Sequence, residues 1–124
     1  MARNGLPRHG LPKSRRLLRR SQFDRVFKQR RVFGDRCFAV YGALNDLDGP
    51  RLGMVVSRRV SVRAVDRNRI RRAIREAFRH NQDRLDAIDI VVVAKAPAAT
   101  ATGQELNDAL IGLWTRLLEK CRKP

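Results

Sequence analysis

The segment at residues 57–79 constrains the fold of this chain most, because it combines a helical apolar pattern with a high positive charge. Its apolar side chains recur at helical spacing and form one face, made of Ile70, Ala73, Ile74, Ala77 and Phe78. The same segment contains nine arginines and two acidic residues, Asp66 and Glu76. We therefore predict an amphipathic helix with one face in a core and the other face strongly cationic.

Arginine dominates the side of this helix that lies opposite the apolar face. At about 100° per residue, that side carries Asn68, Arg72, Arg75 and Arg79. Arginines this close repel one another along a helix, so folding alone does not explain them. Guanidinium groups bind phosphate in a fixed bidentate geometry, which favours a nucleic-acid partner. The alternative is a solvated helix face, but such faces usually mix both signs of charge and also use Lys and Glu.

The charge distribution along the chain also indicates a binding function. The 124 residues are enough for one domain with a core, and their net charge is +16. Residues 1–20 contain seven basic residues and no acidic residue, whereas the 81 residues outside 1–20 and 57–79 balance to only +2. A nearly neutral globular body therefore carries two cationic segments, which is typical of a nucleic-acid-binding protein.

The composition predicts a simple domain organisation. We predict a disordered basic arm at residues 1–20, one globular RNA-binding domain at residues 21–121 and a short tail at residues 122–124. A solubilising tail is the alternative interpretation of the arm. Cys37 and Cys121 are too few for a disulfide framework, which favours reduced thiols and a cytoplasmic protein. No apolar run is long enough to span a membrane, so we expect no membrane partner.

The apolar patterns predict an α+β domain with the order helix, three strands, helix, strand, helix. Ser21 is the candidate N-cap of the first helix. Three strands follow, at residues 32–33, 37–44 and 51–57. After the arginine-rich helix, which has Ser61 as a candidate N-cap, the β-branched run at residues 90–94 predicts a buried strand. The last helix opens with a capping box from Thr102 to Glu105. A helix between the third and fourth strands indicates a parallel pair in a mixed four-stranded sheet.

Two aromatic side chains of the first helix allow two interpretations. Phe23 and Phe27 are four residues apart and therefore lie on one helix face. Such residues belong to the core by default, but exposed rings also stack on unpaired bases. The residues alone leave both interpretations open.

The sequence contains no recognisable catalytic constellation. His9 and His80 do not have metal-ligand spacing, and the carboxylates are scattered without an obvious acid–base pair. No Gly-rich phosphate-binding loop and no nucleophile elbow occurs. We therefore predict a chain that binds rather than catalyses, with no catalytic residue and no metal site of its own.

Residues 63–75 have the sequence R-A-V-D-R-N-R-I-R-R-A-I-R. This segment resembles the RNR signature of the bacterial ribonuclease P protein component family. Four further segments resemble that family in the same order: L-x5-F-D-R-V-F-K from Leu17, R-C-F-A-V-Y, R-L-G-M-V-V-S-R-R-V and D-I-V-V-V-A. The matching segments extend from residue 17 to residue 95.

The resemblance implies the protein subunit of ribonuclease P, an endonuclease that hydrolyses precursor tRNA and leaves the mature 5′ end. In that family the RNA subunit carries the chemistry with Mg²⁺, and the protein binds this RNA and holds the 5′ leader. The expected partners are therefore ribonuclease P RNA and precursor tRNA, with no protein partner required. The implied fold is α-β-β-β-α-β-α with a left-handed β-α-β crossover, which contradicts the general rule for such connections.

The resemblance also assigns the site residues. Those expected to bind the RNA subunit are Arg58, Arg59, Arg63, Arg67, Asn68, Arg69, Arg71, Arg72, Arg75 and Arg79. Those expected to bind the leader are Phe23, Phe27, Tyr41 and Ser57. At Ser57, Arg58 and Arg59 the family has an S-K-K-like segment, so the charge is retained here but a lysine-specific contact is not.

Two other classes of protein remain as alternatives. A small basic ribosomal-type RNA-binding protein would share the charge, the size and an RNA-binding helix, but it would not need paired aromatic residues beside that helix. A protein nuclease would need a metal-binding carboxylate cluster, and the sequence contains no obvious one.

Overall fold

The structure, a computed structural model, describes residues 11–29 and 31–122 of the chain. It contains three α-helices and four β-strands in the described residues: α1 (Arg20–Lys28), β1 (Arg31–Gly34), β2 (Phe38–Leu44), β3 (Arg51–Val55), α2 (Ala64–Asn81), β4 (Ile88–Ala94) and α3 (Gly103–Arg122). Short 3-10 turns at Lys13–Arg15 and Ala96–Ala99 precede α1 and α3. The predicted order of elements is confirmed.

The four strands form one mixed sheet in the order β1-β2-β4-β3. β2 pairs antiparallel with β1 and with β4, whereas β3 and β4 are parallel neighbours joined through α2. The parallel pair expected around the arginine-rich helix is therefore confirmed, and the left hand of that crossover stays a prediction. β4 has a strand on each side, and its β-branched residues suit this central, buried position.

The main core lies between one face of the sheet and the two long helices. α2 contributes Ile70, Ile74, Ala77 and Phe78, all fully buried, as its apolar spacing predicts. Trp114 of α3 is also buried and meets the Phe78 ring edge-to-face at a centroid distance of 6.5 Å.

The predicted capping box at the start of α3 is present. Thr102 Oγ1 accepts the Glu105 N–H at 3.1 Å, and Glu105 Oε1 accepts the Thr102 N–H at 2.8 Å. These bonds hold the pKa of Glu105 below its ordinary value. No helix in the described residues is long and apolar enough to cross a membrane.

The opposite face of the sheet carries α1 and the segment before it. Val26 of α1 is fully buried there against Ala43 of β2 and Val91 of β4. Leu17 also belongs to this second apolar cluster, and its backbone N–H donates to Leu52 O at 2.9 Å. The cluster fixes α1 across the middle of the sheet.

The N-terminal boundary of the domain differs from the sequence prediction. Residues 11–20, assigned to a disordered arm, belong to the folded domain, because Leu11 and Leu17 are buried among the apolar residues on the two faces of the sheet. The arm predicted for residues 1–10 lies outside the described residues.

The local helix starts also differ from the predictions. The N-cap of α1 is Arg19 rather than Ser21, and Gln22 Oε1 accepts the N–H groups of Leu18 and Arg19 at 2.7 and 2.9 Å. The N-cap of α2 is Arg63, not Ser61. The start of α1 thus depends on side-chain bonds of Gln22 that residue preferences do not specify.

Candidate nucleic-acid interface

Arg72 and Arg75 lie on the side of α2 that faces away from the main core. Arg72 is exposed, and the described part of the chain offers it no hydrogen bond or ion pair. Arg75 is half-buried and likewise has no hydrogen-bond partner among the described residues. Burial lowers the pKa of Arg75, and repulsion by Arg72, Arg71 and Arg16 lowers it further. Glu76 offsets part of this repulsion, but its carboxylate pairs with Arg79, so in the described residues the positive charges converge without an ion pair to Arg72 or Arg75.

Arg16 is a member of this group that the sequence analysis missed. It lies in the segment before α1 and forms an isolated parallel bridge with Leu52 of β3. This bridge brings Arg16 close enough to Arg75 to repel it. The sequence signal for the position of Arg16 is the pair of leucines on either side of it. Leu11 and Leu17 are buried, so they hold the basic segment between them against the domain.

Two arginines attach the first half of α2 to the polypeptide before it. Arg71 donates to Asn68 Oδ1 at 3.2 Å and to Val56 O at 3.3 Å, just beyond the end of β3. Arg67 donates to the carbonyl oxygens of Ser61 and Val62, both at 2.9 Å. These side chains therefore hold the β3–α2 connection in place.

The β3–α2 connection itself carries exposed cations. Arg58, Arg59 and Arg63 are all exposed, and Arg63 Nε lies 4.0 Å from Asp66 Oδ2. Ser57 is exposed and accepts the Arg59 N–H through its Oγ at 3.3 Å. The structure therefore brings these positions next to the start of α2.

Arg69 and Arg79 have different surroundings. Arg69 donates to the carbonyl oxygens of Ala99 at 2.9 Å and Ala101 at 3.0 Å, in the connection between β4 and α3. Arg79 pairs with Glu76 at 2.9 Å in the last turns of α2. We define the cationic surface as the residues predicted to bind the RNA subunit, without Arg69 and Arg79 and with Arg16 added. Its members are Arg16, Arg58, Arg59, Arg63, Arg67, Asn68, Arg71, Arg72 and Arg75.

Three half-buried aromatic rings lie together on the α1 side of the sheet. Phe27 meets Tyr41 edge-to-face at a centroid distance of 4.8 Å and an interplanar angle of 87°. Phe23 lies directly on β3, where a Cβ atom at Gly53 would be only 2.7 Å from its ring. Glycine is therefore needed at position 53 for this ring position. The partly buried Val55 and Val93 complete what we call the aromatic cleft.

The aromatic cleft and the cationic surface meet at the end of β3. Val55 belongs to the cleft, and the next residue, Val56, accepts a hydrogen bond from Arg71. Ser57 follows immediately. A single strand end therefore connects the stacking surfaces to the arginines.

A buried carboxylate network, which the sequence analysis missed, positions α1. Asp89 of β4 is completely buried. Arg51 donates to both of its oxygens, at 2.8 and 2.7 Å, Arg25 of α1 donates at 2.7 Å and Asn45 donates at 2.8 Å. Arg25 also donates to Leu44 O at 3.2 Å.

The network keeps Asp89 ionised although it is buried. Burial alone would raise the pKa of this carboxyl, but the hydrogen bonds from Arg51, Arg25 and Asn45 outweigh it, so the pKa of Asp89 lies below its ordinary value. The available signal was a single acid within an apolar β-branched run, because such an acid requires a buried cationic partner.

The described residues do not form a metal site. Among residues 11–29 and 31–122, no group of three or more His, Cys, Asp or Glu side chains could hold a metal ion. Asp89, the buried acid, already has each oxygen bonded to donors. The side chains present therefore do not fit a protein-held Mg²⁺ ion.

Comparison with known proteins gives consistent matches. The family model of ribonuclease P matches residues 11–118. The ribonuclease P protein component of Escherichia coli O6:H1 is 42% identical over 113 residues, which cover 91% of this chain and 95% of the relative. That of Escherichia coli O157:H7 strain EC4115 is 44% identical over 105 residues, covering 85% and 88%.

Solved structures agree in fold as well as in sequence. The RNase P protein of Staphylococcus aureus superimposes with a TM-score of 0.79 at 34% identity, covering 84% of this chain and 95% of that one. The RNase P protein of Thermotoga maritima gives a TM-score of 0.73 at 30% identity, covering 82% and 96%. Since the family match and the relatives extend over most of the chain, this chain belongs to the ribonuclease P protein component family.

Proposed function

We propose that this chain binds the catalytic RNA of ribonuclease P through its cationic surface and holds the 5′ leader of precursor tRNA in its aromatic cleft. The observation that carries this proposal is the junction at the end of β3, where the half-buried rings adjoin the cationic surface through the hydrogen bond from Arg71 to Val56 O. Family membership supports it, because relatives of similar length have the printed name ribonuclease P protein component. The ribosomal-type alternative is not favoured by these matches.

The arginines of the cationic surface suit the phosphate backbone of a folded RNA. Arg72 and Arg75 have no acidic partner that a phosphate would have to displace. A phosphate placed between them would relieve the repulsion that lowers the pKa of Arg75 and would accept bidentate hydrogen bonds. Binding would release counterions, so affinity should fall steeply with salt concentration.

The aromatic cleft suits a flexible single strand. Phe23, Phe27 and Tyr41 each keep part of the ring accessible while the rest packs on the sheet. Such rings stack on bases with little dependence on base identity, as a leader of variable sequence requires. Ser57 lies at the end of the cleft that adjoins the cationic surface, where its hydroxyl can reach a passing phosphate or sugar.

The protein would position RNA, and the RNA subunit would carry out the hydrolysis. The described residues provide no metal cluster, so we propose that the RNA holds the Mg²⁺ required for endonucleolytic cleavage. Bound Mg²⁺ would supply activated water and charge stabilisation at the reacting phosphate. The chain would contribute by neutralising phosphates and orienting the leader, and it would act in the cytoplasm.

Reconstitution tests the proposal directly. Mixed with a ribonuclease P RNA at low Mg²⁺ concentration, the chain should restore cleavage of precursor tRNA at the mature 5′ end. The protein alone, freed of contaminating RNA and nucleases, should cleave nothing. Arg84→Ala removes one positive charge that is exposed beyond the end of α2 and outside the cationic surface, so this variant should stimulate cleavage as the wild-type chain does. Failure of the wild-type chain to stimulate cleavage would refute the proposal.

A further inference from the structure

The start of α2 presents an exposed apolar pair among the arginines. Val62 is 80% exposed and Val65 is 61% exposed, the highest values among the large apolar side chains in the described residues. They are three residues apart, Val62 in the turn before α2 and Val65 in its first turn. Single exposed valines are ordinary on protein surfaces, so the surroundings must decide whether this pair has a function.

The turn that presents Val62 is held in place by side chains. Arg67 donates to the carbonyl oxygens of Ser61 and Val62 at 2.9 Å. Ser61 Oγ donates to Asp66 Oδ2 at 2.9 Å and accepts the Arg63 N–H at 3.2 Å. These bonds tie both sides of the turn to α2. The exposure of Val62 is therefore built into a fixed turn rather than produced by a frayed helix end.

The charges around the pair determine which partner fits. Arg58, Arg59 and Arg63 are exposed in the same connection, whereas the nearby acid, Asp66, already accepts the Ser61 hydroxyl. A second copy of this chain would place arginines against arginines. RNA instead offers phosphates to the arginines and, in its unpaired nucleotides, apolar base faces and ribose edges to the valines.

We propose that Val62 and Val65 form an apolar contact with an unpaired nucleotide of the RNA subunit, between the phosphate contacts made by the neighbouring arginines. This inference rests on the proposed binding of ribonuclease P RNA and adds a part of the interface that does not depend on charge. Burial of valine against a base or ribose releases no counterions, so it raises affinity equally at low and high salt.

A salt series with a double variant tests this contact. Val62→Ala combined with Val65→Ala removes the branched methyl groups, retains all charges and places a good helix former in α2. The dissociation constant for ribonuclease P RNA, measured without tRNA, should rise about tenfold at every salt concentration. The slope of log affinity against log salt should equal that of the wild-type chain. Leu47→Ala is the control, because Leu47 is 49% exposed between Asp46 and Asp48, and it should bind normally.

A second variant separates apolar contact from shape. Val62→Thr combined with Val65→Thr keeps the β-branched shape and adds hydroxyl groups, so it should also weaken binding. Wild-type affinity in either double variant would overturn the apolar contact. A changed salt slope would overturn it too, because it would mean that the valines act through the arginines. Sedimentation that shows a valine-dependent dimer would overturn it as well. If the wild-type chain itself does not bind the RNA, the proposed function is refuted, whereas a failure confined to the valine variants refutes only the apolar contact.

Discussion

The cationic surface and the aromatic cleft differ in how much their side chains contribute to the stability of the fold. Arg72 and Arg75 project from a helix whose other face fills the core, and they have no partner among the described residues. Phe23, Phe27 and Tyr41 are half-buried and pack on the sheet, so the same rings stabilise the fold and remain accessible. Binding can therefore be separated from folding by mutation on the first surface, whereas mutations in the cleft change both.

Arginine itself shows the same contrast. Arg25 and Arg51 are bonded to the buried Asp89 and fix α1 on the sheet. Arg72 and Arg75 are the same residue type on a helix surface that needs no such bonds for folding. We therefore expect substitutions at the buried network to affect stability most and substitutions at the partner-free arginines to affect RNA affinity most.

The largest effect is expected for Asp89→Asn. This change leaves Arg51, whose side chain is only 18% exposed, without its anionic partner, so the free energy of unfolding should fall by about 3–5 kcal/mol. Denaturant unfolding measures the loss, and Asp48→Asn, at a 93% exposed side chain, should change it little. Equal stability of the two variants would contradict the role of this network.

The same variant has a signature in acid. The pKa of Asp89 is lowered in the folded state, so its contribution is present above the unfolded pKa of about 3.9 and is lost as the pH falls through the folded pKa. The stability of Asp89→Asn should therefore depend less on pH across that acidic window than the stability of the wild-type chain.

The second largest effect is expected for Arg72→Ala combined with Arg75→Ala. Two lost charge-assisted phosphate contacts should weaken binding of the RNA subunit by about 2–4 kcal/mol. The salt slope should become shallower by about 1.4–1.8, since each phosphate contributes about 0.7–0.9. Unfolding should change by less than about 0.5 kcal/mol, because both side chains lie opposite the apolar face. An unchanged salt slope in this variant would remove these two residues from the interface.

Local patterns predicted much of the fold but not the long-range partners. The apolar face of α2 and the β-branched run of β4 follow from periodicity, and both were predicted. Asp89 and its partner Arg51 are 38 residues apart, so no local pattern could pair them. The positions of Arg16 and Arg69 likewise depend on where distant segments lie. Residue spacing does not decide whether Phe23 and Phe27 are core residues or stacking surfaces. Only the family resemblance places Tyr41 with these phenylalanines of α1.

A smaller effect is expected for Arg69→Ala, and it should be on stability. Arg69 bonds the carbonyl oxygens of Ala99 and Ala101, so its loss should lower the free energy of unfolding by about 1–3 kcal/mol. Because its guanidinium points toward the β4–α3 connection, RNA affinity should keep nearly the wild-type salt slope once the folded fraction is taken into account. A shallower slope with normal stability would instead place Arg69 at the RNA interface.

The smallest effect is expected for Phe27→Leu, which tests whether the cleft binds the leader. Leucine keeps apolar bulk against the sheet and removes the ring that meets Tyr41, so stability should fall by only about 0.5–1.5 kcal/mol. Loss of a stacking surface should weaken binding of leader-bearing precursor tRNA by about 1 kcal/mol in the assembled ribonucleoprotein. Affinity for mature tRNA, which lacks the leader, should stay unchanged. Leu44→Ala is the control, because Leu44 is an exposed apolar residue of β2 that lies on the other face of the sheet from Tyr41 and belongs to neither apolar cluster. If Phe27→Leu weakens both tRNAs equally, or only destabilises the chain, the ring is a structural residue and the leader does not stack on it.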